Sequence, residues 1–442
     1  MSEKYLITGG TASEIAAGVE VAVSAGRLPP GTMLPPVREV AAGAGVSPNT
    51  AAAAYRLLRE RGVVETAGRR GTRVRPRPAS TSREEIRIEV PPGVRDLSQG
   101  NPDPALLPPL HEALAAAARA YEERPTMYGT GDDEEFLALA RERLRADGIP
   151  PGPLAITSGT LDAVERVLTA HLRPGDAIAV EDPGWAALLD LVGVLGLRPV
   201  PMRLDADGPL PDELARALRA GVRAVVVTAR VQNPTGAAVS AERAGELRGL
   251  LAAYPGVLLI EDDHGSGLVD LPLHLLAGVT ERWILARSTA KAFGPDLRLA
   301  LITGDQVTLE RLRGRQRLAA GWVSHLLQRA VAHLWRTEAV DTVAVASSYG
   351  LRRNGLVAAL AARGIPAYGR TGLNVWVPVA DEATAITRLL ARGWAAAPGA
   401  RNRIATPPAL RLTVSPLHPH DIPPLADDLT AALQPTAGGR YG

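Results

Sequence analysis

The stretch Ser288-Thr-Ala-Lys291-Ala-Phe-Gly-Pro-Asp-Leu-Arg298 contains the most informative residue of this chain. Of 49 basic residues only Lys4 and Lys291 are lysines, so arginine fills almost every position where a positive charge is enough. Arginine cannot replace a lysine whose amine must lose its proton and attack a carbonyl, because the guanidinium stays protonated. Lys291 is therefore either a chance survivor of compositional drift or a Schiff-base former, the type of residue that tethers pyridoxal phosphate. The residues around it favour the second interpretation.

The bulk composition is that of a soluble globular protein with two or three domains. The chain has 442 residues, of which 46% are hydrophobic and 22% charged, and this length exceeds what one ordinary core accommodates. No apolar run approaches the roughly eighteen residues of a membrane span, and the first residues do not resemble a secretory signal. The absence of cysteine excludes disulfides and thiolate metal sites and fits a cytoplasmic protein.

Charge is distributed unevenly along the chain. Residues 1–80 contain 11 Lys and Arg against 6 Asp and Glu, a net charge of +5, so the remainder carries −3 to reach the total of +2. A basic N-terminal segment on a mildly acidic body indicates a polyanionic partner for that segment alone.

The N-terminal segment has the pattern of a helix-turn-helix followed by a hairpin. Ile15, Val19 and Val23 recur every four residues on one helix face. Ser47 as N-cap and Pro48 at the first helical position open another helix. The pattern predicts a helix over 11–24, an irregular loop over 26–36, helices over 37–44 and 48–61, and strands over 63–66 and 72–74 around an arginine-rich tip.

Hydrogen-bond donors in this segment are placed as DNA recognition requires. The front of the second helix, where side chains reach base edges in the major groove, carries Ser47, Asn49 and Thr50. Arginines at flanking positions would meet phosphates or a minor groove, and these are Arg38, Arg69, Arg70 and Arg73. The alternative is a small helical docking domain with a solvated basic face.

Three stretches resemble the winged-helix domain of GntR-type transcription regulators. They are Gly31-x-x-Leu-Pro-Pro-x-Arg38, Gly45-Val-Ser-x-Asn-Thr50 and Ala54-Tyr-x-x-Leu-x-x-x-Gly62. The resemblance implies binding to a double-stranded DNA operator. The run Ala51 to Ala54 departs from it, so specificity is expected to rest on few side chains.

A proline- and serine-rich stretch separates this segment from the rest of the chain. Its lack of periodicity is typical of a linker. We therefore expect a winged helix over 1–77, a linker over 78–93, and a body over 94–442 with a large subdomain at about 120–310 and a small one at about 311–442.

The body alternates apolar runs with amphipathic helical stretches. Strands are expected at 154–157, 177–180, 224–228, 257–260, 283–286 and 299–303, and helices include 161–171 and 242–253. This alternation predicts an α/β fold with a mostly parallel sheet covered on both faces. Ligands of such sheets bind beyond the carboxyl ends of the strands.

Chemically informative residues follow four of these strands. Gly159 and Thr160 open a helix where a phosphate could bind, and Asn233 begins a turn. The run Glu261-Asp-Asp-His264 is compatible with metal ligands or with a carboxylate that keeps a pyridine nitrogen protonated. The fourth strand leads to Ser288, Lys291 and Arg298. Each piece alone is an ordinary turn, but the ordered set favours a pyridoxal phosphate site.

That ordered set resembles the fold type I aminotransferases over roughly residues 94 to 442, a family with a large domain and a smaller C-terminal α+β domain. The resemblance implies that Lys291 forms the internal aldimine and that Asp262 pairs with the pyridine nitrogen. It further implies that Asn233 binds the ring hydroxyl, that Trp185 stacks on the ring, and that Gly159, Thr160, Ser288 and Arg298 hold the phosphate.

Three other residues follow from the same resemblance. Tyr128 matches a tyrosine that reaches the phosphate of the neighbouring subunit, which implies a homodimer, and Arg411 matches the arginine that grips a substrate or effector carboxylate. His264 stands where the family has a tyrosine that tunes the aldimine. Histidine can still hydrogen-bond to the oxygen of the cofactor ring, so the cofactor can still bind. Efficient transamination is not expected, and the change fits a sensor at least as well as a catalyst.

A winged helix that precedes an aminotransferase-like body is the arrangement of MocR/GabR-type regulators, which the whole chain resembles. The resemblance implies a regulator that senses pyridoxal phosphate, or an amino compound, through an aldimine at Lys291, with little or no steady turnover. The alternatives are an active aminotransferase that carries a DNA-binding domain, and a plain repressor that has lost the cofactor.

Overall fold

The computed structural model describes residues 7–24, 27–60, 63–66, 71–75, 83 and 88–434. Arg69, Arg70 and most of the expected linker lie outside the described residues. The chain divides into two compact units. The first contains the residues up to Ser82 together with 172–177 and 190–199, and the second contains the rest.

The elements are numbered in chain order. The helices are α1 (Ala12–Ser24), α2 (Val37–Ala44), α3 (Pro48–Glu60), α4 (His111–Glu123), α5 (Glu134–Ala146), α6 (Thr160–His171), α7 (Ala186–Val194), α8 (Pro211–Arg219), α9 (Ala241–Ala252), α10 (Ala290–Phe293), α11 (Gln306–Arg317), α12 (His325–Arg336), α13 (Thr342–Ala361), α14 (Glu382–Leu390) and α15 (Ile422–Leu433). The strands are β1 (Val64–Thr66), β2 (Thr72–Val74), β3 (Arg95–Asp96), β4 (Leu154–Thr157), β5 (Ala177–Glu181), β6 (Arg198–Met202), β7 (Leu204–Asp205), β8 (Gly208–Pro209), β9 (Ala224–Thr228), β10 (Leu258–Asp262), β11 (Arg282–Ser288), β12 (Ala300–Gly304), β13 (Asn374–Pro378), β14 (Trp394–Ala395), β15 (Ala397–Pro398) and β16 (Ala409–Thr413).

The first unit contains the expected three helices and two-stranded wing. Gly45 ends α2 with a φ of 67°, and Ser47 caps α3 by accepting a hydrogen bond from the Thr50 amide at 3.1 Å. The apolar faces of the helices and wing share one core, in which Tyr55 is buried and donates to Pro35 O at 2.6 Å. The loop before α2 is less irregular than expected, because Met33 forms a bridge with Arg73 on β2.

The second unit is built on a seven-stranded sheet in the order β4-β12-β11-β10-β9-β5-β6. The pairs β10–β11, β9–β10 and β5–β9 are parallel, as the alternating pattern predicted. The sheet strands β4, β5, β9 and β10 are buried at every position, which fits a sheet that helices cover on both faces.

One central strand runs against the others. β12 is antiparallel to both β11 and β4, with Ser288 opposite Ala300. The amino-terminal end of β12 therefore lies at the edge where the parallel strands end. This direction brings Arg298, which precedes β12, to the same edge as Lys291.

A smaller antiparallel sheet, in the order β13-β16-β15, forms the C-terminal part of the second unit with α13, α14 and α15. The chain just before the large sheet joins this part, because β3 pairs in parallel with β14 and Leu97 is buried in its core. The predicted fold class, a winged helix-turn-helix plus an aminotransferase-like α/β body with a smaller C-terminal α+β part, is thus confirmed. Within the described ranges, every helix is too short or too polar to span a lipid bilayer.

Candidate functional site

A cleft of about 380 Å³ opens at the carboxyl edge of the large sheet. All but one of the predicted cofactor and effector residues line it, and they are Gly159, Thr160, Trp185, Asn233, Asp262, His264, Ser288, Lys291, Arg298 and Arg411. They come from turns that lie far apart in the sequence. The topology of the sheet brings them together because the parallel strands end at one edge.

Lys291 lies on the short helix α10 that follows β11. Its Nζ donates a hydrogen bond to the carbonyl oxygen of Gly100 at 3.0 Å. Gly100 has a φ of 68°, and a Cβ there would lie 3.2 Å from the Arg411 guanidinium. The segment from Ser98 to Asn101 therefore forms one wall of the cleft, between the lysine and the arginine.

The half-buried His264 and the buried Asp262 form a hydrogen-bonded pair that lines the cleft. His264 Nδ1 lies 2.9 Å from Asp262 Oδ2, and Nε2 lies 2.8 Å from the carbonyl oxygen of Val231. A carboxylate and a carbonyl accept hydrogen bonds but cannot donate them, so this geometry favours the protonated form of the ring, in which both nitrogens are donors. Burial lowers the pKa of His264, but the neighbouring Asp262 carboxylate outweighs this effect and raises it above the usual value.

The second oxygen of Asp262 is the informative one. Asp262 is 3% exposed, and among the described residues its Oδ1 has no hydrogen-bond partner. A buried carboxylate oxygen without a donor is costly unless a ligand supplies one. Since Asp262 lines the cleft, a protonated ring nitrogen fits this position.

The opposite end of the cleft suits a phosphate dianion. Gly159 has a φ of 98°, and a Cβ there would lie 3.2 Å from Arg298 Nη2. Arg298 Nη2 donates to the Ser158 carbonyl oxygen at 3.4 Å. Thr160 begins α6, and its buried Oγ1 has no hydrogen-bond partner among the described residues. A helix N-terminus, an arginine and an unpaired hydroxyl together favour an anion.

Arg411 and Asn233 lie together on the small-sheet side. Arg411 is on β16 and is 6% exposed. Its Nη2 donates to the Ser98 carbonyl oxygen at 2.6 Å, and its Nη1 donates to Asn233 Oδ1 at 3.4 Å. A buried planar guanidinium in this position can bind a carboxylate.

The structure does not place Tyr128 in this cleft. Its side chain is 95% exposed, and its ring meets the edge of Trp322 at 5.8 Å between centroids. The metal alternative for Asp262 and His264 gains no support, because no group of three or more His, Cys, Asp or Glu side chains suited to a metal occurs in the part of the chain that the structure describes.

Sequence reasoning missed further residues of the cleft and its support. Ser98, Gln99, Gly100, Asn101 and Arg401 line it without a local motif. Glu181 lies behind it, fully buried, and accepts from the amide and hydroxyl of Thr228, both at 2.8 Å, and from Gln232 Nε2 at 3.1 Å. Burial raises the pKa of Glu181 to about 7. An acidic residue at the end of an otherwise apolar strand was the sequence signal that could have identified Glu181.

The winged helix presents part of its predicted contact set to solvent. Arg38, Ser47 and Asn49 are exposed, whereas Thr50 is half-buried and bonds to Ser47 at 2.8 Å between hydroxyls. Arg73 is held by Glu65, with its Nε 2.7 Å from Glu65 Oε1. This ion pair reduces the positive charge that Arg73 offers to a phosphate.

Arg56 is a further candidate DNA contact that was not predicted from the sequence. It is exposed and lies two helical turns after Asn49, so both residues occupy one face of α3. The helical spacing was the signal that could have identified it.

Comparison with known proteins agrees with this two-part organisation. Residues 11–74 match the family of bacterial regulatory proteins of the gntR type, and residues 92–429 match aminotransferase class I and II. The vitamin B6 salvage pathway transcriptional repressor PtsJ of Salmonella typhimurium is 38% identical over 434 residues, which cover 97% of this chain and 100% of that protein. The HTH-type pyridoxine biosynthesis transcriptional regulator PdxR of Corynebacterium glutamicum is 30% identical over 62% of each chain.

Solved aminotransferase structures resemble a large part of this chain. The α-aminoadipate aminotransferase LysN of Thermus thermophilus, complexed with N-(5'-phosphopyridoxyl)-L-leucine, superposes with a TM-score of 0.68 at 22% identity and covers 80% of this chain and 97% of that one. At this level of identity the likeness shows the fold.

Proposed function

The chain belongs to the MocR-type transcription regulators, which join a GntR winged helix to an aminotransferase class I and II domain, and from that premise we propose that it reads pyridoxal phosphate, or an amino compound captured by it, at Lys291. The observation that carries the proposal is the cleft in which an amine, an unpaired buried carboxylate oxygen and an anion cradle meet. The names of PtsJ and PdxR place both relatives in vitamin B6 metabolism, which favours pyridoxal phosphate itself as the signal.

Different residues of the cleft would bind different parts of pyridoxal phosphate. Pyridoxal phosphate supplies an aldehyde that condenses with amines and a ring that withdraws electrons. Lys291 provides the amine, and Asp262 Oδ1 is available to keep a ring nitrogen protonated. Thr160 and Arg298 would bind the phosphate, with Gly159 leaving the space and Ser288 beside them.

The second half of the proposal concerns the captured amino compound. Arg411 would bind its carboxylate, because the Ser98 carbonyl and Asn233 occupy two of the five N–H groups of its guanidinium. The wall formed by Ser98 to Asn101 would hold the guanidinium in place beside such a ligand. Asn233, which accepts from Arg411, would bond the ring hydroxyl, and Trp185 would cover the ring.

The position of His264 supports sensing rather than turnover. Both of its ring nitrogens already donate, to Asp262 and to the Val231 carbonyl. Both ring nitrogens are therefore engaged, and the ring fixes Asp262. A group held in this way is poorly suited to move protons during repeated catalytic cycles.

A signal must bind the two DNA-binding states unequally to control them. A shift of DNA occupancy from about 1% to about 99% needs roughly 5.5 kcal/mol of differential binding. Covalent capture at Lys291 can contribute to this difference. A homodimer in which Tyr128 reaches the neighbouring subunit's cleft would explain why a tyrosine is 95% exposed here.

The test exploits the fact that Lys4 and Lys291 are the only lysines of the chain. Full-length protein is incubated with pyridoxal phosphate, reduced with borohydride and analysed by peptide mass. A pyridoxyl adduct on Lys291 that Lys291→Ala abolishes and Lys4→Ala preserves supports the site. Adduct on Lys4 alone, or on neither lysine, contradicts it.

DNA binding is then measured on duplexes that the full-length protein selects from a random pool. The affinity should change with pyridoxal phosphate in the wild type and in Lys4→Ala, and should stay constant in Lys291→Ala. Steady consumption of an amino donor and a keto acid, without any effect on DNA affinity, would support the aminotransferase alternative instead.

A further inference from the structure

A second cavity of about 300 Å³ lies behind the cofactor cleft, and we propose that it binds a small organic anion. Arg143, Arg230 and Arg287 line it, and we call it the arginine cavity. It shares only Ser288 with the cofactor cleft. This inference does not depend on pyridoxal phosphate.

Two arginines at the bottom of the cavity share one buried carboxylate. Arg230 donates to Asp263 through Nε and Nη2, both at 2.9 Å, and Arg287 Nε donates to the same carboxylate at 2.8 Å. Asp263 is fully buried, and Arg230 and Arg287 are 6% and 5% exposed. Arg287 Nη1 also reaches Asp147 at 2.5 Å, but the Asp147 side chain is 43% exposed to solvent. The two guanidinium groups and their two carboxylate partners balance in charge, but only one of these carboxylates, Asp263, is buried with the arginines.

The guanidinium of Arg287 is not fully paired. Its Nη2 is buried and has no hydrogen-bond partner among the residues that the structure describes. A buried charged donor without an acceptor is destabilising. Because Arg287 lines the cavity, an anionic oxygen placed there would remove that cost.

The remaining walls define the rest of the ligand. Phe293, Leu301 and Leu334 provide apolar surface beside the arginines. The Arg143 guanidinium lies 5.1 Å from the centroid of the Trp335 ring at the mouth. A ligand that fits is compact and apolar, with one carboxylate or phosphate group directed inward. Asp270 and Glu338 are exposed and lie at the rim, where they would disfavour a second anionic group.

The cavity contacts the strand ends that carry the cofactor cleft, from their opposite face. Asp263 follows Asp262 directly, and Arg287 directly precedes Ser288. Arg287 lines the arginine cavity, Ser288 lines both that cavity and the cleft, and Asp263 is the buried carboxylate that holds Arg230 and Arg287. Successive residues of a strand point to opposite faces of a sheet, so Arg287 and Ser288 at the end of β11 face opposite sides. An anion bound to Arg287 is thus separated from the cleft by a single layer of backbone.

The test compares two probes that have nearly the same shape but different charge. Benzoate and benzamide are titrated calorimetrically into full-length protein, with inorganic phosphate as a third probe. We expect benzoate to bind at least roughly tenfold more tightly than benzamide, the equivalent of about 1.4 kcal/mol. Tighter binding of inorganic phosphate would identify the inner group as a phosphate instead of a carboxylate. Equal affinities of benzoate and benzamide, or no binding of either anion, would overturn the proposal.

Substitutions locate the binding site. Ala146 is the exposed last residue of α5 and lines the mouth, so Ala146→Trp should block benzoate without disturbing the core. Ala252→Trp, at the exposed end of α9, is the matched control and should bind normally. Arg287→Lys removes the unpaired donor and should weaken benzoate roughly tenfold.

A final variant separates this proposal from the proposed function. Lys291→Ala should leave benzoate binding unchanged, because Lys291 does not line the arginine cavity. Loss of benzoate binding in Lys291→Ala, with full binding in Ala146→Trp, would assign the anion to the cofactor cleft and overturn the inference. Benzoate binding that survives in Lys291→Ala supports the arginine cavity even when pyridoxal phosphate does not bind.

Discussion

His264 donates to Asp262 across 2.9 Å and thereby occupies one carboxylate oxygen, while the other oxygen stays buried without a partner among the described residues. The pair therefore has two functions. It compensates the charge of a half-buried histidine, and it orients Asp262 towards the cleft. Since the Val231 carbonyl fixes the far side of the ring, rotation of His264 would break both hydrogen bonds.

The first prediction concerns the pH dependence of stability. The folded pKa of His264 is raised above the unfolded value of 6.5, so its stabilisation is complete below about pH 6.5 and is lost as the pH rises through the folded pKa. Below that pH the wild type should exceed His264→Gln in unfolding free energy by about 1.5–3 kcal/mol, the value of a charged hydrogen bond. Urea denaturation from about pH 6 to about pH 9.5 measures the difference.

The exposed His111 provides the control for this experiment. His111→Gln should follow the wild-type curve at every pH. A difference between wild type and His264→Gln that stays constant over the whole range would show that His264 does not lose a proton there, and would contradict the prediction.

The second prediction tests the phosphate cradle with two glycines of the same conformation. Gly159 and Gly175 both have a φ of 98°, but a Cβ at Gly159 meets Arg298 at 3.2 Å, whereas a Cβ at Gly175 meets nothing within 4 Å. Both alanine variants should lose about 1 kcal/mol of unfolding free energy from backbone strain. Only Gly159→Ala should weaken pyridoxal phosphate, by roughly tenfold or more.

Fluorescence titration with pyridoxal phosphate and with pyridoxal measures this effect. The loss in Gly159→Ala should be larger for the phosphorylated compound, because the substitution displaces Arg298. If Gly175→Ala weakens both compounds equally, backbone strain alone explains the result and the cradle assignment fails.

Parts of the sheet were predictable from the sequence because burial leaves a local pattern. The strands 154–157 and 224–228 were predicted to the residue, since a strand that is buried on both faces is a continuous apolar run. β6 was missed because Arg198-Pro-Val-Pro-Met202 contains two prolines, which argue against a central strand. β6 is the last strand of the sheet, where a missing amide donor is tolerated.

Other features depend on contacts that no local pattern encodes. The alternation of strands and helices does not specify that β12 runs antiparallel. The bond between Lys291 and Gly100 joins residues 191 positions apart, and the segment from Ser98 has neither periodicity nor a motif. The cleft could therefore be predicted from its strand ends, whereas the wall that covers it could not.

The third prediction follows from the buried Glu181. Burial raises its folded pKa to about 7 from an ordinary value of 4.5. Between these values the folded state holds a proton that the unfolded state has released, so stability falls as the pH rises from about 4.5 to about 7. Glu181→Gln should remove the contribution of Glu181 to this slope, which is on the order of 3 kcal/mol.

Thermal unfolding of both proteins over this pH range gives the comparison. Glu261→Gln should reduce the pH dependence of stability by a similar amount, because burial also raises the pKa of Glu261 to about 7. Glu123→Gln alters an exposed side chain and should leave the slope unchanged. A wild-type slope that survives in Glu181→Gln would mean that Glu181 is ionised in the folded protein at pH 5.

The fourth prediction separates the two kinds of DNA contact on the winged helix. Asn49 is exposed at the front of α3, where side chains reach base edges, whereas Arg38 is exposed on α2 at a flanking position. Asn49→Ala should cost about 1–3 kcal/mol on the preferred sequence and little on unrelated DNA. Arg38→Ala should weaken binding to all DNA sequences and lower the slope of log affinity against log salt by about 0.9.

Fluorescence anisotropy on a selected duplex and a scrambled one, at several salt concentrations, distinguishes the two effects. Arg219→Ala, an exposed arginine of the second unit, should change neither quantity. Equal losses on both duplexes in Asn49→Ala would remove α3 from base recognition, because a residue that reads bases must discriminate between them.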